Sequence, residues 1–160
     1  MSDITNIIVA GLGGQGVITA SNILADAVFR AGLDVKMAEV HGMSQRGGSV
    51  STDVRFGLDL SGASPMVPAG QADFMLVADA DQIEVNRHNL RPHGVLVEPT
   101  AVDAAKLPHP RSLNVALLGV LSRRLPIDPA CWIEAIKANL APKLHEMNVV
   151  AFNIGRGERA

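Results

Sequence analysis

Two periods of apolar residues alternate along the chain and divide it into strands and helices. Ile7-Ile8-Val9-Ala10 is a short continuous apolar run that ends in glycine, the pattern of a buried parallel strand. After a glycine-rich turn, Val17, Ala20, Leu24, Ala27, Val28 and Ala31 recur at helical spacing, and Gly32 stops the helix. Residues 35–38 form a second strand, and 39–48 a loop of polar groups and glycine. From 49 to 56 the period becomes two: Val50, Thr52, Val54 and Phe56 share one face, and Ser51, Asp53 and Arg55 the other. That alternation predicts a half-buried strand. A loop with Gly62, Pro65, Pro68 and Gly70 leads to the apolar strand 74–78. Asp79 and Gln82 form a capping pair for a short helix to about Asn89, and Pro92-His93-Gly94 turns the chain into the strand Val95-Leu96-Val97.

The last third is helical. Ser112 is placed to cap a helix running to Leu125, where Pro126 ends it. Asp128-Pro129 starts the next, with Trp132, Ile133, Ile136 and Leu140 on one face. Pro142 opens a third carrying Leu144, Met147, Ala151 and Ile154. No repeat or linker divides the chain, so residues 1–160 are expected to form a single domain. Its predicted class is α/β: a Rossmann-like layered sandwich, mostly parallel, with helices on both faces.

Composition narrows the picture. Apolar residues make up 48% of the chain but aromatics only 3%, so the core must be aliphatic. A formal net charge of -2 gives no global basic field for nucleic acid or membrane. The single cysteine, Cys131, excludes an internal disulfide and any multi-cysteine zinc or iron–sulfur site within the chain, which suits a reducing cytoplasm. The first residues, Met1-Ser2-Asp3-Ile4, show no signal-peptide pattern, and the apolar stretch 113–125 is too short to span a bilayer.

Gly11, Gly13 and Gly16 have the G-x-G-x-x-G spacing, between a strand and a helix. Glycines let the backbone turn sharply and approach a ligand, while the helix start offers free N–H groups and a partial positive charge. Phosphate, pyrophosphate or carboxylate would fit there; the alternative is that the glycines serve only tight strand–helix packing. A dinucleotide site would also want an acid at the end of the second strand for the ribose hydroxyls, and Glu39 stands there. Gly14 and Gln15 are permitted by that pattern without being required by it.

A second constellation, Glu39-Val40-His41-Gly42-Met43-Ser44-Gln45-Arg46-Gly47-Gly48-Ser49, follows at a strand's C-terminal end, where open α/β sheets form their ligand crevice. Arg46 can grip a carboxylate or phosphate with two parallel hydrogen bonds, and Gly47-Gly48 lets backbone amides come close beside it. A solvated or internally paired Arg46 is the alternative. His41 is a candidate acid–base group, set against a structural histidine. His88, His93, His109 and His145 show no metal spacing and read as surface residues; Cys131 reads as an inert thiol, and Met37, Met43, Met66 and Met75 as fillers.

Together the segments Gly11-Leu12-Gly13-Gly14-Gln15-Gly16-Val17 and 39–50 resemble the gamma-type subunit of 2-oxoacid:ferredoxin oxidoreductases. The second is most similar to the small (beta) subunit of the indolepyruvate type, and residues 148–155 resemble that subunit's closing helix. The resemblance implies oxidative decarboxylation of a 2-oxoacid to an acyl-CoA, with thiamine diphosphate, Mg2+ and iron–sulfur clusters held by larger partner subunits and electrons passed to ferredoxin or another acceptor. It implies no cofactor held by this chain alone, coenzyme A as cosubstrate, and no turnover in isolation. Carried over by residue, Gly11, Gly13, Gly14, Gln15, Gly16, Arg46, Gly47, Gly48 and Ser49 would sit near the coenzyme A or substrate entrance, with His41 approaching the active site. The chain is shorter than that subunit, with the shortfall between Val97 and Leu113, and its tail ends soon after Gly155. Two other functions fit the residues alone: a self-contained NAD(P)-binding oxidoreductase using Glu39, and a non-catalytic acyl-CoA or nucleotide-binding module.

Overall fold

A computed structural model describes residues 3–41 and 48–157, the side chain of His41 excepted. Five strands form one sheet in the order β2-β3-β1-β4-β5: β1 (Thr5–Leu12), β2 (Asp34–His41), β3 (Ser49–Gly57), β4 (Ala72–Val77) and β5 (Leu90–Val97). β1 pairs parallel with β4, and β4 with β5. β3 pairs antiparallel with both β1 and β2, so four of the five strands run in the same direction. β2 extends further than its apolar run suggests. The ladder carries it to His41, which places Glu39 in a strand opposite Thr52.

Helices α1 (Val17–Arg30), α3 (Leu113–Ser122), α4 (Pro129–Asn139) and α5 (His145–Gly155) contribute to the large core against one face of the sheet. Ile7, Val9, Val54, Phe56 and Leu76 face them across an aliphatic interior, in which Trp132 and Phe152 stack with ring centroids 5.7 Å apart. The second face carries much less helix. Ile8, Ala10, Met75 and Val77 are covered there by Val67 of the 58–71 segment and by Ile83 of the one-turn helix α2 (Ile83–Asn86).

That covering corrects the expectation of a half-buried β3. Asp53 and Arg55, on the polar side of the strand, are both buried. The Arg55 guanidinium donates to Asn6 Oδ1 (2.8 Å) and to the Ser64 carbonyl (2.6 Å), while Asp53 accepts from the Val67 amide at 2.9 Å. Lys36 Nζ donates to the Ala63 carbonyl at 2.7 Å. The alternating polar residues therefore fasten a segment of chain instead of facing water. Burial raises the Asp53 carboxyl above its ordinary value, against the opposing effects of the Val67 amide and the Arg55 charge.

Helix ends follow local chemistry except at the start of α3. Gly32 adopts φ 86° after α1, and Asp128 accepts from the Ala130 amide at 2.8 Å to start α4 as its sequence predicts. Ser112 does not cap α3: its hydroxyl donates back to the His109 carbonyl (2.6 Å), and His109 Nδ1 accepts the Arg111 amide (3.0 Å) one turn earlier. The 92–94 turn is a bulge within β5, with His93 at φ 64° and the register shifting between Ala72 and Phe74. At the α3–α5 crossing, a Cβ on Gly119 would strike the Phe152 carbonyl, and one on Gly155 the Ala116 carbonyl, so these glycines set the separation of the two helices.

Candidate functional site

Residues 11–16 leave the C-terminal end of β1, which lies between β3 and β4. Gly11 is buried because a Cβ there would lie 2.9 Å from both Gln15 Oε1 and Val17 Cγ2 and 3.2 Å from the Ala78 Cβ. Gly13 and Gly14 are exposed at the tip, with Gly14 at φ 89°. Gly16 is the N-cap of α1 at φ 74°, ψ 27°, a left-handed conformation that side-chain-bearing residues avoid. It brings no side chain to cap the helix, so the N–H groups of Val17, Ile18 and Thr19 have no partner within the helix. Gly11 serves close packing; Gly14 and Gly16 serve backbone conformation.

The start of α1 borders a cavity of about 730 Å³, which Gly16 and Thr19 help to line. Gly14, Gln15, Gly16 and Thr19 form one wall; His109, Arg111 and Asn114, at the start of α3, form another. Leu140, Leu144, Met147 and Asn148 close it from the α4–α5 side. Asn114 ties two walls together by donating from Nδ2 to the Gly16 carbonyl at 3.1 Å. His109 accepts the Arg111 amide on Nδ1, which puts the proton of its neutral ring on Nε2. The wall thus combines helix-start amides, a guanidinium, an imidazole N–H donor and a side-chain amide over an apolar floor. Such a surface suits a ligand with an anionic end and an extended body.

The two segments singled out in the sequence meet at Gly13, beside the cavity and outside its lining. The Gly13 amide donates to the Gly48 carbonyl at 3.0 Å, and Ser49 and Val50 pair in register with Leu12 and Gly11. On the other side of β3, His41 pairs with Val50, so its backbone lies two strands from Gly11, about 10 Å away. The side chain of His41, and Arg46 and Gly47 altogether, lie outside the described residues. Gln15 is anchored at both ends of its amide: its Oε1 accepts the Leu12 amide (2.7 Å) and its Nε2 donates to Asp79 Oδ2 (2.8 Å). The turn's glutamine braces the backbone while also lining the cavity.

The sheet order works against the dinucleotide reading. In a dinucleotide-binding sheet the second strand lies beside the first, which brings its terminal acid to the glycine turn. Here β3 is inserted between β1 and β2, and Glu39 sits across Thr52 from Val9, a full strand removed. No sequence period distinguishes a neighbouring strand from a next-nearest one. Asn114, His109 and Arg111 were likewise missed as site residues, because about 100 residues separate Asn114 from the turn it touches.

Residues 6–108 match the family described as pyruvate ferredoxin/flavodoxin oxidoreductase. The chain belongs to this family. It is 36% identical to the indolepyruvate oxidoreductase subunit IorB of Thermococcus kodakarensis over 94% of this chain and 93% of that one. The 192 aligned positions exceed the 160 residues of the chain, so the relative carries segments that this oxidoreductase-family member lacks. Its fold is shared with the pyruvate oxidoreductase subunit of Thermotoga maritima, at 22% identity and a TM-score of 0.76 over 98% of this chain and 97% of that one. It is shared also with a 2-oxoglutarate:ferredoxin oxidoreductase from Magnetococcus marinus, whose structure holds 2-oxoglutarate, coenzyme A and succinyl-CoA. That similarity has a TM-score of 0.79 at 21% identity, and covers 98% of this chain and 31% of the larger one.

A four-iron cluster takes four cysteine thiolates, and the sequence has one cysteine. Among the described residues, no group of three or more His, Cys, Asp or Glu is placed to bind a metal ion. No helix of the described residues is long and apolar enough to cross a membrane.

Proposed function

We propose that this chain is the small subunit of an indolepyruvate-type 2-oxoacid:acceptor oxidoreductase, completing an active-site rim whose cofactors lie in larger partner subunits. The overall reaction takes a 2-oxoacid and coenzyme A to an acyl-CoA, carbon dioxide, two electrons and a proton. Thiamine diphosphate in a partner supplies the decarboxylation chemistry, and iron–sulfur clusters there carry the electrons to ferredoxin or another acceptor. The part played by this chain is binding and orientation. The uncapped start of α1 presents three backbone amides to an anionic group of coenzyme A or the 2-oxoacid. Arg46 adds a fixed positive charge from the neighbouring loop, with Gly47, Gly48 and Ser49 allowing close backbone approach. His41, at the end of β2, is the candidate acid–base residue of this segment.

The observation that carries this reading is the Gly13–Gly48 hydrogen bond, which joins the glycine turn to the start of β3 at the C-terminal end of the central strand β1. A plain dinucleotide domain has no use for that junction. Native co-purification tests the assignment: a much larger thiamine- and iron-containing partner should accompany the chain. A monomer that saturates with NADH would overturn it. In the complex, Arg46→Ala should raise the KM for coenzyme A or 2-oxoacid, and unchanged kinetics would remove Arg46 from the site.

A further inference from the structure

The braced glutamine has a consequence for the site it supports. We infer that Asp79, at the end of β4, is a positioning residue that fixes the ligand-facing backbone of the glycine turn through Gln15; this rests on the functional reading above. The Gln15 amide has two unlike ends and meets two unlike partners. Its Oε1 accepts the Leu12 N–H, which can only donate, and its Nε2 donates to the Asp79 carboxylate, which can only accept. Only one orientation of the amide satisfies both. The carboxylate is held in turn: Oδ1 accepts the Asp81 amide at 2.9 Å, its own carbonyl accepts the Gln82 amide at 2.9 Å, and the preceding Ala78 amide donates to the Ala10 carbonyl at 2.9 Å.

Asp79 therefore belongs rigidly to the sheet, and Gln15 transmits that position to the turn. Gly11 completes the device, since any side chain there would occupy the space in which the Gln15 amide lies. The turn's own bonds, Gln15 N–H to the Leu12 carbonyl (3.2 Å) and Gly13 N–H to Gly48, leave the exposed Gly14 peptide undetermined without this brace. A loop free to sample several glycine conformations must be ordered when ligand binds, and that cost appears as weaker binding. Asp79 itself is not among the residues that line the cavity, and it acts on that wall through Gln15.

The test uses the complex of this chain with its co-purified large subunit. Asp79→Ala, Gln15→Met and the double variant are compared with Asp128→Ala, which removes a helix cap of the same kind at the far end of α4. Losing a charge-assisted, partly buried hydrogen bond should raise the KM for coenzyme A or the 2-oxoacid about tenfold while kcat stays within about twofold. The double variant should be no worse than either single one, because both break one relay. Asp79→Glu should recover part of the loss, and Asp128→Ala should lower the melting temperature without moving either KM. Should Asp79→Ala fail to assemble, Gln15→Met alone decides, because it leaves the Asp79 cap on Asp81 in place. Unchanged KM values, or KM effects that multiply in the double variant, would overturn the inference. If Arg46→Ala and Gly14→Ala are also without kinetic effect, the functional reading fails with it; if those two raise KM and the Asp79 and Gln15 variants do not, only the relay is wrong.

Discussion

Replacing Gly16 by alanine tests the geometry of the site directly, because two separate penalties meet at that residue. At φ 74° and ψ 27° a residue with a Cβ is strained by about 1–2 kcal/mol. The Cβ would also fall on the Asn114 amide, which must swing away and surrender its bond to the Gly16 carbonyl, at a further cost of about 1 kcal/mol. The sum, about 2–3 kcal/mol, should lower the melting temperature by roughly 4–12 °C for a domain of this size. Gly14 provides the internal comparison. Its φ is also positive, but an added Cβ meets nothing within 4 Å, so Gly14→Ala should cost only the backbone term, about 1–2 kcal/mol. Thermal unfolding followed by circular dichroism separates the two. A double-mutant cycle sharpens the result: Asn114→Ala should be milder in the Gly16→Ala background than in the wild type, since the clash is already present. Equal losses for the two glycine variants, with additive behaviour in the cycle, would refute the contact with Asn114. No loss in either would refute the left-handed conformation of the turn.

Three further outcomes follow from the packing. Gly119→Ala, which in an isolated helix would gain about 1 kcal/mol, should instead destabilise by about 1–3 kcal/mol, because the new methyl meets the Phe152 carbonyl of α5; a chemical-denaturation midpoint above that of the wild type would contradict the close crossing. Arg55→Met should expose the 58–71 segment by removing its bonds to Ser64 and Asn6, so limited proteolysis should cut there first, and an unchanged cleavage pattern would show that the strap is held otherwise. Asp53 has a folded-state carboxyl raised above 3.8, so the folded state binds its proton more tightly than the unfolded chain does. Its contribution is most favourable below 3.8 and is lost as pH rises through the higher folded value. Asp53→Asn, which can still accept from Val67, should therefore gain stability relative to wild type as pH rises through that window; a constant difference would refute it.

Part of the candidate site is carried by residues that are close in sequence. The strand–turn–helix at 5–30 follows from a continuous apolar run, glycines and a 3.6-residue period, all local properties of the chain. The polar loop after the second strand stood out for the same reason, through its concentration of His41, Arg46, Gly47 and Gly48. The partners of these segments were not legible. Asp79 and Asn114 are ordinary polar residues in their own neighbourhoods, and nothing nearby marks one as the anchor of Gln15 or the other as a neighbour of Gly16.

Local patterns along the chain settle the α/β class, the glycine turn with its helix, and the start of α4, because periodicity, caps and backbone freedom act over a few residues. Tertiary structure decided which strand lies beside which. Inserting β3 between β1 and β2 removed Glu39 from the glycine turn and brought Gly48 to Gly13 in its place. It also decided that Asp53 and Arg55 are buried, since an alternating strand looks the same whether water or a strap of chain covers its polar face. Strand order and covering segments are settled by burial and hydrogen-bond satisfaction summed over the whole domain. Those long-range requirements leave no periodic mark on the residues that meet them.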